Sequence, residues 1–169
     1  MSSIATANSG GIVVKVAQCI RDNKEYLSTI DGLIGDGDHG INMDKGAGIY
    51  LSRQSEAGEG LQENLKLLSR VLMNEIGGSM GPLYGTFFGR LARTVKGKET
   101  LDLPLFSDML AAALDGIQSL GGAKVGDKTL VDTLTPAVES LKKYCGGGRR
   151  FFGRPEQDGR SRGSGKGIH

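Results

Sequence analysis

Leu61-Gln62-Glu63-Asn64-Leu65-Lys66-Leu67-Leu68-Ser69-Arg70-Val71-Leu72 places apolar side chains at 61, 65, 68 and 72, with 67 and 71 widening the same stripe. Glu63 and Lys66 fall outside it. That spacing is the signature of an amphipathic helix with one face turned to a core. Upstream, Ile12, Val13, Val14, Val16, Ala17 and Ile20 predict another helix, and the β-branched run at its start leaves a short strand as the alternative. Tyr26, Leu27, Ile30 and Leu33 carry the helical period on, and Ile41 to Leu51 restarts it after a glycine-rich break. Downstream, Pro82 suits the first turn of a helix in which Leu83, Phe87, Leu91 and Thr94 recur. Ser107 is placed to cap a helix over 108–120, closed by Gly121-Gly122. A last helix is predicted over 129–144, with Pro136 inside it. No stretch alternates with period two. The expected fold is all-α, an antiparallel bundle with short glycine-rich turns.

Composition narrows the function. The chain has 169 residues, room for one domain of ordinary size. A net charge of +2 excludes a strongly basic nucleic-acid binder, and no DNA partner is expected. Aromatics are only 5% with no Trp, which leaves little for base stacking. Cys19 and Cys145 make neither a disulfide framework nor a zinc cluster. No apolar run is long enough to span a membrane and no signal peptide stands at the N-terminus, so a cytoplasmic protein is expected. The charge is uneven. Residues 1–145 hold 15 basic and 17 acidic groups, whereas 146–169 hold 6 and 2, together with 8 of the 28 glycines. The chain therefore reads as a helical domain over 1–145 and a Gly/Arg-rich, poorly ordered tail over 146–169.

The most informative loop is Asp31-Gly32-Leu33-Ile34-Gly35-Asp36-Gly37-Asp38-His39-Gly40. Three carboxylates that converge repel one another, and a cation removes that cost. Magnesium suits such hard oxygen ligands and commonly bridges them to phosphates. A solvated acidic turn is the plainer alternative. A calcium loop of EF-hand type fails, because Ile41 and Ala47 occupy the positions that need Gly and Glu. Gly77-Gly78-Ser79-Met80-Gly81-Pro82 precedes a helix, where backbone N–H groups make an anion site or simply a tight connector. It is neither a Walker A loop nor a dinucleotide fingerprint. Gly121 to Thr129 is a second such turn, in which Asp127 and Thr129 are placed to cap the next helix. His39 is open to three roles, phosphocarrier, metal ligand or nucleotide contact, or to none. No nucleophile elbow or catalytic triad can be assembled.

Taken together, residues 34–43, 77–88 and 126–132 resemble the three signature blocks of the dihydroxyacetone kinase L subunit (DhaL) family, in order and spacing. The resemblance covers about residues 10–145. It implies an eight-helix antiparallel barrel with nucleotide and two Mg²⁺ ions at one end. It implies that Asp31, Asp36 and Asp38 hold the metal, that His39, Gly40, Ile41 and Asn42 contact ADP or ATP, that Gly78, Ser79 and Met80 lie by the phosphates, and that Gly121 and Leu130 lie near the base or ribose. The family usually offers Ser where Met80 stands. In family terms the sugar sits on a separate K subunit (DhaK-like), and the L subunit is the phosphotransferase half of a glycerone kinase. The donor is either exchangeable ATP or a phosphohistidine protein of the phosphotransferase system that recharges bound ADP. A regulatory nucleotide-binding module and an erythrulose kinase subunit are the alternatives.

The family continues for further helices where this chain turns to Gly146-Gly147-Gly148-Arg149-Arg150. The last helices of the barrel are therefore expected to be incomplete. An out-of-frame reading of GC-rich coding sequence gives such a composition, and an RNA- or phosphate-binding arm is the functional alternative. An unclosed barrel is expected to expose an apolar seam, favouring instability or self-association, a homodimer included.

Overall fold

The computed structural model describes residues 3–147. Seven helices account for most of them: α1 (Gly11–Asp22), α2 (Lys24–Asp31), α3 (His39–Arg53), α4 (Leu61–Glu75), α5 (Met80–Val95), α6 (Leu103–Gly121) and α7 (Leu130–Gly147). The composition break at 146 and the tail call fall on residues that lie, from 148 onward, outside the described ones.

The α4 stripe does what its spacing predicts. Leu61, Leu65, Leu67, Leu68, Val71 and Leu72 are all buried and form the centre of a core shared with α1, α3, α5 and α6. Asn64 is on the same buried side, at 0% exposure. Its side chain is satisfied completely. The amide donates to the carbonyls of Gly58 and Gly60 (2.9 and 2.8 Å), and its oxygen accepts from Tyr50 Oη at 2.7 Å and from Gln54 Nε2 at 3.3 Å. Burial pushes the Tyr50 phenol up to about 12. The group is therefore neutral, and its hydroxyl serves as a donor. A second, smaller cluster joins Ile117 of α6 to Val131, Leu134 and Val138 of α7, with Leu83 and Phe87 of α5 packed against it.

The helices assemble as a row: α1 and α2 lie on α3, and α3, α4, α5, α6 and α7 then pack each on the next. Among the described residues no comparable face joins α7 back to α1–α3. The apolar seam expected at this open side is not on α7, whose Val131, Leu134, Val138 and Leu141 all turn inward. Exposed large apolar residues gather instead on α1, α2 and the loop after it, at Ile12, Val16, Tyr26, Ile30, Leu33 and Ile34.

Three local readings need correction. The apolar period from Ile12 to Leu33 is two helices, because Asn23 ends the first: its amide donates to the Cys19 carbonyl at 2.8 Å while its own carbonyl accepts the Leu27 N–H. Ser107 is not a cap. Asp102 is, its carboxylate accepting the Leu105 N–H at 2.9 Å; α6 thus begins at Leu103 with Pro104 in its first turn, and Ser107 is buried. Finally, a two-residue antiparallel ribbon pairs Ile4–Ala5 (β1) with Thr100–Leu101 (β2), too short for any alternation to reveal. It fastens the N-terminus between the start of α4, where Leu61 N–H donates to Thr6, and the α5–α6 connection.

Candidate functional site

Asp31 closes α2, and the chain from Gly32 to Asp38 folds back over that helix end. The N–H groups of Ile34 and Gly35 donate to the Asp31 carbonyl, at 3.1 and 2.6 Å. Gly37 takes φ +77°, a conformation that only glycine adopts without strain, and so turns Asp38 toward Asp36. The result is a tight set. Ligand oxygens of Asp31, Asp36 and Asp38 all lie within 4.8 Å of one another. None of the three has an ion-pair partner among the described residues. The Asp38 carboxyl is held above the usual carboxylate range, by desolvation first and then by the charge and hydrogen bond of Asp36, against the lowering effect of Asn42. Asn42 Nδ2 donates to Asp38 Oδ2 at 2.7 Å, and the His39 N–H to Asp31 Oδ2 at 3.4 Å.

Gly40 fixes this loop against α2. A Cβ there would run into the Lys24 carbonyl and lie 2.6 Å from Ser28 Oγ. The α2–α3 crossing is thus as close as backbones allow, and it keeps the first turn of α3 beside the carboxylates. Ser28 Oγ is buried with no hydrogen-bond partner, directly under this crossing.

The first turns of α3 and α5 meet through a contact the sequence reading did not assign. Tyr84 Oη lies 3.3 Å from His39 Nε2, with the rings edge-to-face at 5.7 Å. Burial raises the Tyr84 phenol, so it is neutral. Tyr84 lies inside the glycine-rich block already singled out; its place one turn after Met80 was the available signal. Met80 itself packs against the main core. Ser79 precedes α5 with its side chain exposed and making no cap bond, and Gly78 turns at φ +67°. On the far side, Leu130 of α7 packs on the same cluster as Leu83 and Phe87 of α5. Gly121 ends α6 just before the left-handed Gly122. Ile41 is exposed on α3. The segments named from sequence are therefore linked through the start of α5: the α2–α3 loop meets it through His39 and Tyr84, and the start of α7 packs on it through Leu130 and Leu83.

That last turn is built by Asp132. Thr129 caps α7, its Oγ1 accepting the Val131 N–H at 3.2 Å, while Asp132 reaches back to the N–H groups of Thr129 and Gly126, at 2.8 and 2.6 Å. This is a capping box that also ties down the loop. Asp127 does not cap the helix; it closes the turn onto the Lys124 N–H at 2.8 Å. The backbone hydrogen bonds from Gly126 and Thr129 hold the Asp132 carboxyl below its ordinary value. A lowered carboxylate contributes stability above its unfolded value and loses it as pH falls through the folded one. The melting temperature of Asp132→Asn is therefore expected to lie below that of the parent at pH 7, and the gap to close as pH falls below about 4. A gap that stays constant to pH 3 would refute the assignment.

The DAK2 domain profile matches residues 33–151, which begins in the carboxylate loop and spans the gathered segments. The chain belongs to the DAK2 domain family. It is thus a relative of the DhaL subunits. It is 40% identical over 129 residues to the PTS-dependent dihydroxyacetone kinase, ADP-binding subunit DhaL, of Lactococcus lactis, covering 76% of this chain and 65% of that one. It is 38% identical over 120 residues to the PEP-dependent dihydroxyacetone kinase, ADP-binding subunit DhaL, of Escherichia coli K12, covering 70% and 57%. This DAK2 chain therefore spans less than two thirds of the length of either subunit. Its fold also matches the dihydroxyacetone kinase from C. freundii in complex with AMP-PNP and Mg²⁺, at TM-score 0.63 and 28% identity, over 82% of this chain and 26% of that one. The all-α reading agrees with this neighbour. No described helix is long and apolar enough to cross a membrane.

Proposed function

We propose that this DAK2 chain is the nucleotide-binding half of a dihydroxyacetone kinase, transferring a phosphoryl group from a bound adenine nucleotide to a sugar held on a separate K subunit. The observation that carries the proposal is the convergence of three uncompensated carboxylates beside His39, whose ring meets Tyr84 of α5. The donor set fits magnesium: hard oxygen atoms only, close together, with no cation of the protein competing for them. Asp31, Asp36 and Asp38 would hold two ions, which neutralise charge on the phosphate oxygens when bound.

The protein's own groups have the remaining tasks. His39, Gly40, Ile41 and Asn42 are assigned to the nucleotide, with Tyr84 fixing the His39 ring. Gly78, Ser79 and the first amides of α5 are assigned to the phosphates, where the unpaired N–H groups of a helix start favour an anion. Gly121 and Leu130 are assigned to the base or ribose. Such an arrangement catalyses by positioning and electrostatics and needs no protein nucleophile. In the same loop Leu33 and Ile34 are 78% and 100% exposed, and Ile41 is 55% exposed beside it. An apolar rim around a charged centre suits a partner surface that excludes water during transfer. We assign that rim to the K subunit, and recharging of bound ADP to a phosphohistidine protein.

The test is direct. Chain purified with Mg²⁺ is denatured and the supernatant assayed for adenine nucleotide; ADP in a one-to-one ratio is the expected result. Adding a K subunit, dihydroxyacetone and a phosphoryl donor should then yield dihydroxyacetone phosphate. A folded sample that neither retains nor binds nucleotide with Mg²⁺ present overturns the proposal.

A further inference from the structure

The α4–α5 hairpin carries a charge that the rest of the helical body does not. Over residues 61–98 six cations stand against only Glu63 and Glu75, in a body where acidic groups outnumber basic ones. Four of the six, Lys66, Arg70, Arg93 and Lys96, line one groove of about 290 Å³ between the two helices. Helix geometry puts them together. Positions 62, 66, 69 and 70 share a face of α4, and 89, 92, 93 and 96 repeat that spacing along α5. The α5 side offers only Gly89 and Ala92 between the helices, and a Cβ on Gly89 would lie 2.8 Å from Ser69 Oγ. The helices therefore pack tightly there, and the long basic side chains stand around a floor of small residues.

No carboxylate lines this groove. Among the described residues, none of its four cations has an ion-pair partner, although Arg21, Lys24, Arg53 and Arg90 elsewhere do. Lys66 and Arg70 also repel one another as like charges one turn apart. Converging, unpaired cations on two helices are a standing cost that a multivalent anion relieves.

We propose that this groove is an oligophosphate site, distinct from the carboxylate end. Arginine forks bind phosphate oxygens in pairs and lysines add point charge. The volume suits a small ligand rather than a macromolecular surface. Arg93 stands 13 residues along α5 from Met80, about 20 Å at ~1.5 Å per residue. An anion held here is therefore separate from any at the glycine-rich start.

The probe is inorganic tripolyphosphate, titrated by calorimetry into the full chain in metal-free buffer. One ion per chain is expected, with affinity that falls as sodium chloride is added. Lys66→Gln with Arg93→Gln should weaken binding at least about tenfold. Lys66→Arg with Arg93→Lys should retain it, as should Asp36→Asn. All four cations are exposed, so the circular-dichroism melt of the Gln variant should stay at the parent's temperature or rise slightly as repulsion is relieved. Metal-free ATP titrated in parallel into the parent and the Gln variant separates the sources by the part of its binding that the variant loses: equal or weaker than tripolyphosphate assigns the groove to a free oligophosphate, tighter to a nucleotide's phosphate chain. Unchanged affinity in the Gln variant places the ion elsewhere and overturns the proposal, as does the absence of saturable uptake at millimolar concentration.

Discussion

Asp36→Asn and Asp38→Asn are each expected to reduce magnesium-dependent ADP affinity by about 100-fold. The substitution keeps the size and removes one negative charge from a cluster whose ligand atoms lie within 4.8 Å of one another. The measurement is calorimetry with ADP at fixed excess Mg²⁺. What makes it decisive is the opposite sign expected without metal. Asp38 is held above the ordinary carboxylate value in part by its acidic neighbours. Neutralising one member therefore relieves repulsion, and the metal-free variant should melt at the same temperature as the parent or slightly above it. A merely structural loop would behave otherwise: the variant would lose stability with or without metal. Unchanged ADP affinity in either variant would remove the pair from the ligand set.

The second large effect is on stability alone. Asn64→Leu is expected to cost about 3 kcal/mol, because it strips partners from Tyr50 Oη, Gln54 and two backbone carbonyls at a fully buried position. For a chain of this size that lowers the melting temperature by roughly 10 °C. Tyr50→Phe should lose less, since Asn64 keeps its other three partners. Asn64 sits at the start of α4 and Tyr50 in the last turn of α3, at the end of the row away from the carboxylates. Nucleotide affinity, measured well below the melting temperature, should therefore remain at the parent's value. A loss of affinity parallel to the loss of stability would show that the two ends are coupled.

These two predictions rest on features of different legibility. The carboxylate cluster was readable because glycine spacing leaves few ways to arrange three acids in eight residues. The α4 stripe was readable because burial on one side repeats with the helical period. Asn64 was hidden within that stripe, since a polar residue at a core position gives no sign of its partners until the loop at Gly58–Gly60 is placed. Ser107 misled for a related reason. Ser and Asp are both good caps, and only the extended backbone at Asp102 decides between them. The Tyr84–His39 contact spans 45 positions, so no local pattern carries it. The break at Asn23 was missed because helix termination there uses a side-chain amide rather than glycine or proline. Met80 lies in the block expected by the phosphates, yet its side chain packs against the core.

From α4 onward, among the helices that precede it, each packs chiefly on the one just before. A chain wired in that order has most of its contacts between neighbours in sequence, the condition for rapid assembly. It also suits synthesis from one end: as each helix leaves the ribosome, the surface it needs is already waiting. The N-terminal ribbon is the exception, because Ile4 and Ala5 must wait for Thr100 and Leu101. Closing it should be a late event in folding, detectable as slow protection of the Thr6 amide in pulse-labelled hydrogen exchange.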